Sequence, residues 1–562
     1  MRGARPYLEE FTAMPTDYYD LGQHSWPIST ADPAAQVWFD RGLLWSYAFN
    51  HEAAISCFER ALEHDPGCAM AYWGIAYATG PNYNKSWDQF DPVELAEALG
   101  KAYAATVRAV ERRGETTPVE QSLISSLESR YPAPEPPADF APWTVGYADA
   151  MREVHRHFPD DLDVTTLFAD ALMNITPWQL WDQPTGEPAA GAATPEAQAV
   201  LERALERPNA RAHPGVLHVY IHLMEMSAHP ERALPAAELL RGLVPDGGHL
   251  EHMPTHIDVL CGDYRRVVSS NSDAITADSK YLADAGALNF YTLYRAHNYH
   301  FKIYGAMFLG NAEVALSTAD QLAAALPEEL LRVEVPPMAD WAEGFVPMKL
   351  HALIRFGRWQ EIIDTPLPTD QKLYCVTTAM THYAKGVALA ATGRVTEAES
   401  ERQRFHDSVA VVPDTRYVFN NTCLDILAIA AAMLDGEIEY RKGNFDEAFD
   451  RLRLAIERDD TLPYDEPWGW MQPTRHAYGA LLLEQGRVEE AEAVYQADLG
   501  LDDTLARASQ HPNNVWSLHG YHECLTRLGK LDQARLVKQL LDIATVYTDV
   551  PIQASCACRM TA

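Results

Sequence analysis

Seven times between residues 260 and 531, an alanine-rich apolar stretch runs through a glycine-centred turn into a second apolar stretch of helical period. The turns are Leu260-Cys261-Gly262-Asp263-Tyr264, Leu309-Gly310-Asn311-Ala312, Phe356-Gly357-Arg358-Trp359, Thr392-Gly393-Arg394-Val395, Lys442-Gly443-Asn444-Phe445, Gln485-Gly486-Arg487-Val488 and Leu528-Gly529-Lys530-Leu531. Glycine suits the left-handed position just past a helix end because it has no Cβ to clash there. Alanine soon after the turn, as at Ala398, Ala448 and Ala491, lets the second helix approach the first closely. A chain written this way folds as stacked helix pairs, and strand signals are almost absent.

Ala35 to Gly67 reads as one full unit of about 34 residues. Gly42 and Tyr47 fall in its first helix, and Ala53, Phe58, Ala61 and Pro66 in or just after its second. This order resembles the tetratricopeptide repeat. The resemblance runs loosely along nearly the whole chain. It predicts an all-α, tetratricopeptide-like, right-handed α-solenoid of about nine to eleven helix pairs. Four segments are expected: helix pairs over 1–130, degenerate pairs with inserts over 131–205, histidine-rich pairs over 206–310, and further pairs over 311–562. Two stretches break the rhythm: the proline-rich connector Tyr131 to Asp139 and the Trp178 to Pro195 insert. Inserts in solenoids gather on one face and often build binding sites. Trp178 and Trp181, with Asn82 and Tyr83 of the Gly80–Asn84 loop, are therefore expected to line a substrate pocket.

A formal net charge of −34 argues against nucleic acid and against an anionic membrane surface, both of which select basic faces. The eight cysteines are scattered and predict no disulfide framework, and Cys556-Ala557-Cys558 reads as a frayed tail. The N-terminal residues lack the apolar core of a signal peptide, and no run is long enough to span a bilayer, so a cytoplasmic location is expected.

Nine of the twenty-one histidines lie between His213 and His300. At about 100° per residue, His218, His222 and Glu225 share one helix face. The His218/His222 spacing is that of the zincin motif, but Val219 stands where its glutamate would be, so zincin protease chemistry is not supported. His249, His252 and His256 form a second stripe, with Pro254 predicting a kink inside a helix that starts near Gly248. His297 and His300 form a third. His222 to His256 is 34 residues and His256 to His297 is 41, about one repeat each. The three stripes should therefore lie on neighbouring first helices about 10 Å apart, with their side chains converging. His213 and His229 each precede a proline and read as helix caps.

An imidazole-rich, thiolate-free set disfavours Mg, Ca and Mn and leaves copper, zinc and iron. Seven candidate ligands, His218, His222, His249, His252, His256, His297 and His300, suit one or two ions. Three imidazoles on each of two coppers is the favoured arrangement, with Glu225 as base or orienting residue. The chain contains no dinucleotide-binding glycine motif, Walker A motif or GxSxG elbow.

With these residues in view, the chain resembles a group of bacterial tetratricopeptide-repeat proteins. The likeness is carried by His213-Pro214-Gly215 with His218, His222 and Glu225, by His249-x-x-His252-Met253-Pro254-x-His256, and by His297-Asn298-x-His300-Phe301. The segments Cys68 to Asn84 and His511 to Gly520 also look similar. The resemblance implies the fold and little about activity. The expected function is a metal-dependent oxidoreductase, copper first, acting on a small organic substrate. The alternatives are a scaffold that binds a peptide or protein in its groove and a zinc-dependent hydrolase.

Overall fold

The structure, a computed structural model, describes residues 18–559. Among these residues the architecture is all-α. The strands are two two-residue pieces, β1 (Tyr417–Val418) and β2 (Asn421–Thr422), which pair antiparallel with Tyr417 opposite Thr422.

The first repeat shows how the stack is held. Helix α1 (Pro33–Tyr47) is capped by Asp32, which accepts from the Ala34 amide. Helix α2 (His51–His64) is capped by Asn50, which accepts from Ala53. Phe58 of α2 is fully buried and drives its ring between α1 and α3 (Ala69–Thr79). A Cβ on Gly42 of α1 would lie 2.5 Å from that ring, and one on Gly74 of α3 would lie 2.6 Å from it. Glycine at both positions is what gives the aromatic ring its slot.

All seven turn glycines adopt positive φ, from +63° at Gly357 to +84° at Gly443. Gly310 and Asn311 return their amides to the carbonyls of the preceding helix, Asn311 to Ala306 at 2.9 Å. Ala398, Ala448 and Ala491 are each fully buried at the approach of the paired helices.

The histidines ride on α4 (Pro214–Met224), α5 (Gly248–His252), α6 (Pro254–Leu260) and α8 (Thr292–Leu309), with α7 (Tyr264–Ala285) packed between α6 and α8 in sequence. Met253 between α5 and α6 keeps helical angles, φ −51° and ψ −36°. The two short helices are thus one helix bent at Pro254. His213 caps α4 by accepting from the Val216 amide at 3.2 Å. His229 caps nothing: its ring is exposed and faces Glu231.

Two expectations about the chain's ends and membranes are resolved differently. No helix among the described residues is long and apolar enough to cross a membrane. The C-terminal tail is docked rather than frayed. Cys556 and Cys558 form a disulfide, Ser555 donates to the His476 carbonyl, and Arg355 donates to the Ser555 carbonyl. The sequence reading missed this because the anchors, Arg355 and His476, are remote in the chain.

Candidate metal centre

The three histidine stripes meet inside the solenoid as two adjoining trios. His218, His222 and His249 form one, and His252, His256 and His297 the other. Within each, one ligand atom per residue lies within 4.8 Å of the others. The trios abut: the His222 and His256 rings are 5.6 Å apart, and the His249 and His252 rings 6.0 Å. Each is backed by a phenylalanine. Phe49 packs on all three rings of the first trio, stacked on His222 and His249, and Phe301 on all three of the second.

Proton positions follow from the partners. The Tyr47 carbonyl accepts from His218. His222 Nδ1 faces Glu225 Oε1 at 3.1 Å. His252 Nδ1 is 2.7 Å from Asn271 Oδ1, and that asparagine commits its Nδ2 to the Val267 carbonyl, so the oxygen is the acceptor and His252 the donor. His256 Nδ1 faces Glu225 Oε2 at 2.8 Å and also Glu466. His222 and His252 hold their protons on Nδ1, turned away from the trio, and His256 turns its Nδ1 to two carboxylates. The Nε2 lone pairs of His222 and His252 are therefore left pointing inward. Fixing the tautomer through a carboxylate, amide or carbonyl on the far nitrogen is how proteins prepare imidazole for a metal.

One contact carries this furthest. His252 Nε2 and His256 Nε2 lie 2.8 Å apart, and His252 has its proton on Nδ1, so its Nε2 is an acceptor. A proton on His256 Nε2 or a metal cation satisfies that acceptor. Ligand nitrogens about 2.0–2.1 Å from a tetrahedral ion sit about 3.3–3.5 Å from each other, so these two would part by about half an ångström to share one. Burial, followed by the neighbouring imidazoles, holds the pKa values of His218, His222, His249, His252 and His297 well below the usual histidine range. These rings are neutral, the form that binds metal.

The carboxylates add charge without a lysine or arginine partner. Glu225 and Glu466 converge on the single Nδ1–H of His256, and Tyr464 donates to Glu466. One N–H cannot serve both carboxylates. Burial raises the Glu225 pKa, partly offset by His256, and raises that of Glu466 further, helped by Glu225.

Not every predicted residue joins the trios. His300 sits one turn beyond His297 and points into the next layer. There its Nε2 lies 2.8 Å from Met471 Sδ and its ring packs on Phe345. A second cluster, His24, Asp163 and His213, has ligand-like spacing, but its chemistry differs. His213 Nδ1 accepts from Val216, so its proton is on the Nε2 that faces Asp163 Oδ1 at 3.2 Å. Tyr47 donates to the same oxygen at 2.7 Å. That cluster is a hydrogen-bonded knot joining the N-terminal segment to α4.

A cleft opens onto the second trio, with His256, His297 and Glu466 on its wall. No member of the first trio lines it. Of the predicted substrate contacts, Trp178 lines this cleft. Tyr83 lies behind, sandwiched between Trp178 and His222 with ring separations of 5.2 and 4.9 Å. Trp181 turns inward and donates its indole N–H to the Leu223 carbonyl at 2.6 Å, so it anchors the insert. Asn82 accepts from the Asn84 amide and shapes the loop, and Asn84 is the residue that reaches the cleft. The sequence reading missed Glu466, Asp465, Phe419 and Trp341. The Asp465-Glu466 pair had a visible signal, adjacent carboxylates beside Pro467 in an aromatic loop, whereas the two-residue strands around Phe419 had none.

The helix-pair stack and the first repeat define a tetratricopeptide-type solenoid. Residues 35–68 match the tetratricopeptide repeat. No curated protein matches the chain. Among solved structures, the APC/C hetero-tetramer Cut9–Hcn1 is 12% identical, with 87% of this chain and 76% of that chain covered and a TM-score of 0.30. Naa15/Naa10 bound to HypK-THB is 12% identical, with coverages of 91% and 70% and a TM-score of 0.20. The TPR domain of P58(IPK) is 14% identical, with coverages of 89% and 99% and a TM-score of 0.19.

Proposed function

We propose that this protein binds two transition-metal ions, one per histidine trio, and uses them for oxidoreductase chemistry on a small organic molecule, copper being the favoured metal. The observation that supports this reading is the convergence of two buried imidazole trios, with His252 Nε2 and His256 Nε2 facing each other at 2.8 Å. Imidazole-only donor sets suit copper, zinc and iron, and two neighbouring trios suit a pair of redox-active ions. Copper, when bound, would take up and pass on one electron per ion between its two common oxidation states. Two ions together match a substrate that loses two electrons and two protons while dioxygen takes them up as hydrogen peroxide. Within the protein, Glu225 orients His222 and His256 together. Glu466 sets a carboxyl group between His256 and the cleft.

Elemental analysis of the purified chain tests this reading, with an expectation of about two ions per chain from the two trios. The double change His218→Ala/His222→Ala should halve the metal content with helicity intact. A wild-type chain that takes up no copper, zinc or iron would remove the reading. Zinc in both sites, with no oxygen uptake, would move it to hydrolysis.

A second reading, a scaffold for a protein partner, is favoured by the repeat match over residues 35–68 and by the last long helix, Leu531–Ala544. That helix leaves Leu536, Leu540 and Ile543 exposed on one side. Co-purification of a stoichiometric protein with metal-free chain would favour it.

A further inference from the structure

The cleft beside the second trio is walled largely by aromatic rings. Trp178, Phe290, Tyr294, Trp341 and Phe419 supply aromatic surface. Among the described residues that line it there is no lysine or arginine. The nearest ammonium, Lys85, is committed to Glu94 behind Phe290.

The unpaired polar atoms in the wall include two acceptors. Asn84 Oδ1 is shielded from solvent and receives no hydrogen bond. Glu466 Oε2 competes with Glu225 for the one His256 N–H, and of the two carboxylates only Glu466 borders the cleft. Asp465, its neighbour, is already satisfied by the Asn420 and Glu466 amides and the Asn421 side chain. A buried acceptor left without a donor costs about 1–3 kcal/mol, so a ligand that brings a donor is selected over one that does not. A wall of carboxyl groups with no cation rejects anions. Flat aromatic walls favour a flat ring over an aliphatic one.

We propose that this cleft binds a planar aromatic molecule carrying an O–H or N–H donor, a phenol or an aromatic amine, with the donor on Glu466. Glu466 touches His256, so this pose brings the donor-bearing carbon of the ring to the second trio and leaves the first trio out of contact. The metal reading is needed only for chemistry on the bound ring, and the binding itself belongs to the chain.

Titration calorimetry on the full-length chain, metal-free and metal-loaded, tests this with five probes. 4-Ethylphenol and 4-ethylaniline carry the donor. 4-Ethylanisole lacks it at nearly the same shape, 4-ethylbenzoate is anionic, and cyclohexanol has the donor without the ring. The two donor aromatics should bind at least tenfold tighter than the other three in the metal-free chain. The tighter of the two then separates phenol from amine. Trp341→Ala should weaken both donor probes about tenfold. Equal binding of 4-ethylanisole and 4-ethylphenol would overturn the proposal, as would no binding of either donor probe. Metal content, measured on the same samples, reports on the metal reading separately.

Discussion

His252 and His256 face each other through Nε2 at 2.8 Å while Asn271 and the Glu225/Glu466 pair occupy their Nδ1 protons. The helix bend at Pro254 is what makes this possible on one short stretch of chain. An ion held by these rings would bind the folded chain and not the unfolded one. Metal should therefore raise the melting temperature of the chain. At an excess of a hundred times the dissociation constant, the added stability is about 2.7 kcal/mol per site. Differential scanning calorimetry with and without chelator measures it, and an unchanged melting temperature on copper or zinc addition contradicts the site.

Glu225 holds two imidazoles from different trios, His222 through Oε1 and His256 through Oε2. Glu225→Gln keeps the shape but turns one acceptor into a donor that meets a ring N–H. Metal affinity should fall about 10–100-fold with the fold intact. Competition against a chelator of known affinity, alongside far-ultraviolet circular dichroism, separates loss of metal from loss of fold.

Burial lowers the pKa of His351 and of His476 to about 4. In the unfolded chain both titrate near 6.5. Between those values the unfolded state binds protons that the folded state refuses. Stability is therefore complete above about pH 6.5 and falls as the pH drops toward 4, by up to about 1.4 kcal/mol per pH unit for each group. Urea melts of the metal-free chain at pH 8, 7, 6 and 5 test this; a flat profile below pH 6.5 rules it out.

Two glycines should respond differently to alanine. Gly393 has φ +78° and open space where a methyl would go, so Gly393→Ala carries backbone strain of about 1 kcal/mol and nothing else. Gly42 has ordinary helical geometry, but its new methyl would meet the Phe58 ring at 2.5 Å. Gly42→Ala should cost about 1–3 kcal/mol through overpacking. Relief by the added change Phe58→Leu would identify the ring as the cause, and equal costs in the two single variants would contradict the repeat packing.

The helix-pair stack was legible because turn glycines and repeat-spaced alanines are local signals, each readable within a few residues. The convergence of the stripes was legible because 34- and 41-residue spacings return a helix face to the same side of the stack. His300 was misplaced for a related reason. Its spacing from His297 puts both on one face, but one helical turn along the axis carries it past the trio to Met471. Glu466 could not be read at all as a partner of Glu225, because a chain closing on itself over some 240 residues leaves no periodicity to count. Trp181 and Trp178 show the limit of composition: neighbours of the same type, one tied to the Leu223 carbonyl and one facing the cleft.

Phe49 lies across the first trio, whose three rings are each only 1% exposed, while the cleft reaches the second trio alone. The inner ion would thus have no open road from solvent. Loading becomes a matter of history: copper offered during refolding should fill both positions together, whereas copper offered afterwards should enter in a fast and a slow phase. Single-exponential uptake by the prefolded chain would mean that Phe49 is a door and not a wall.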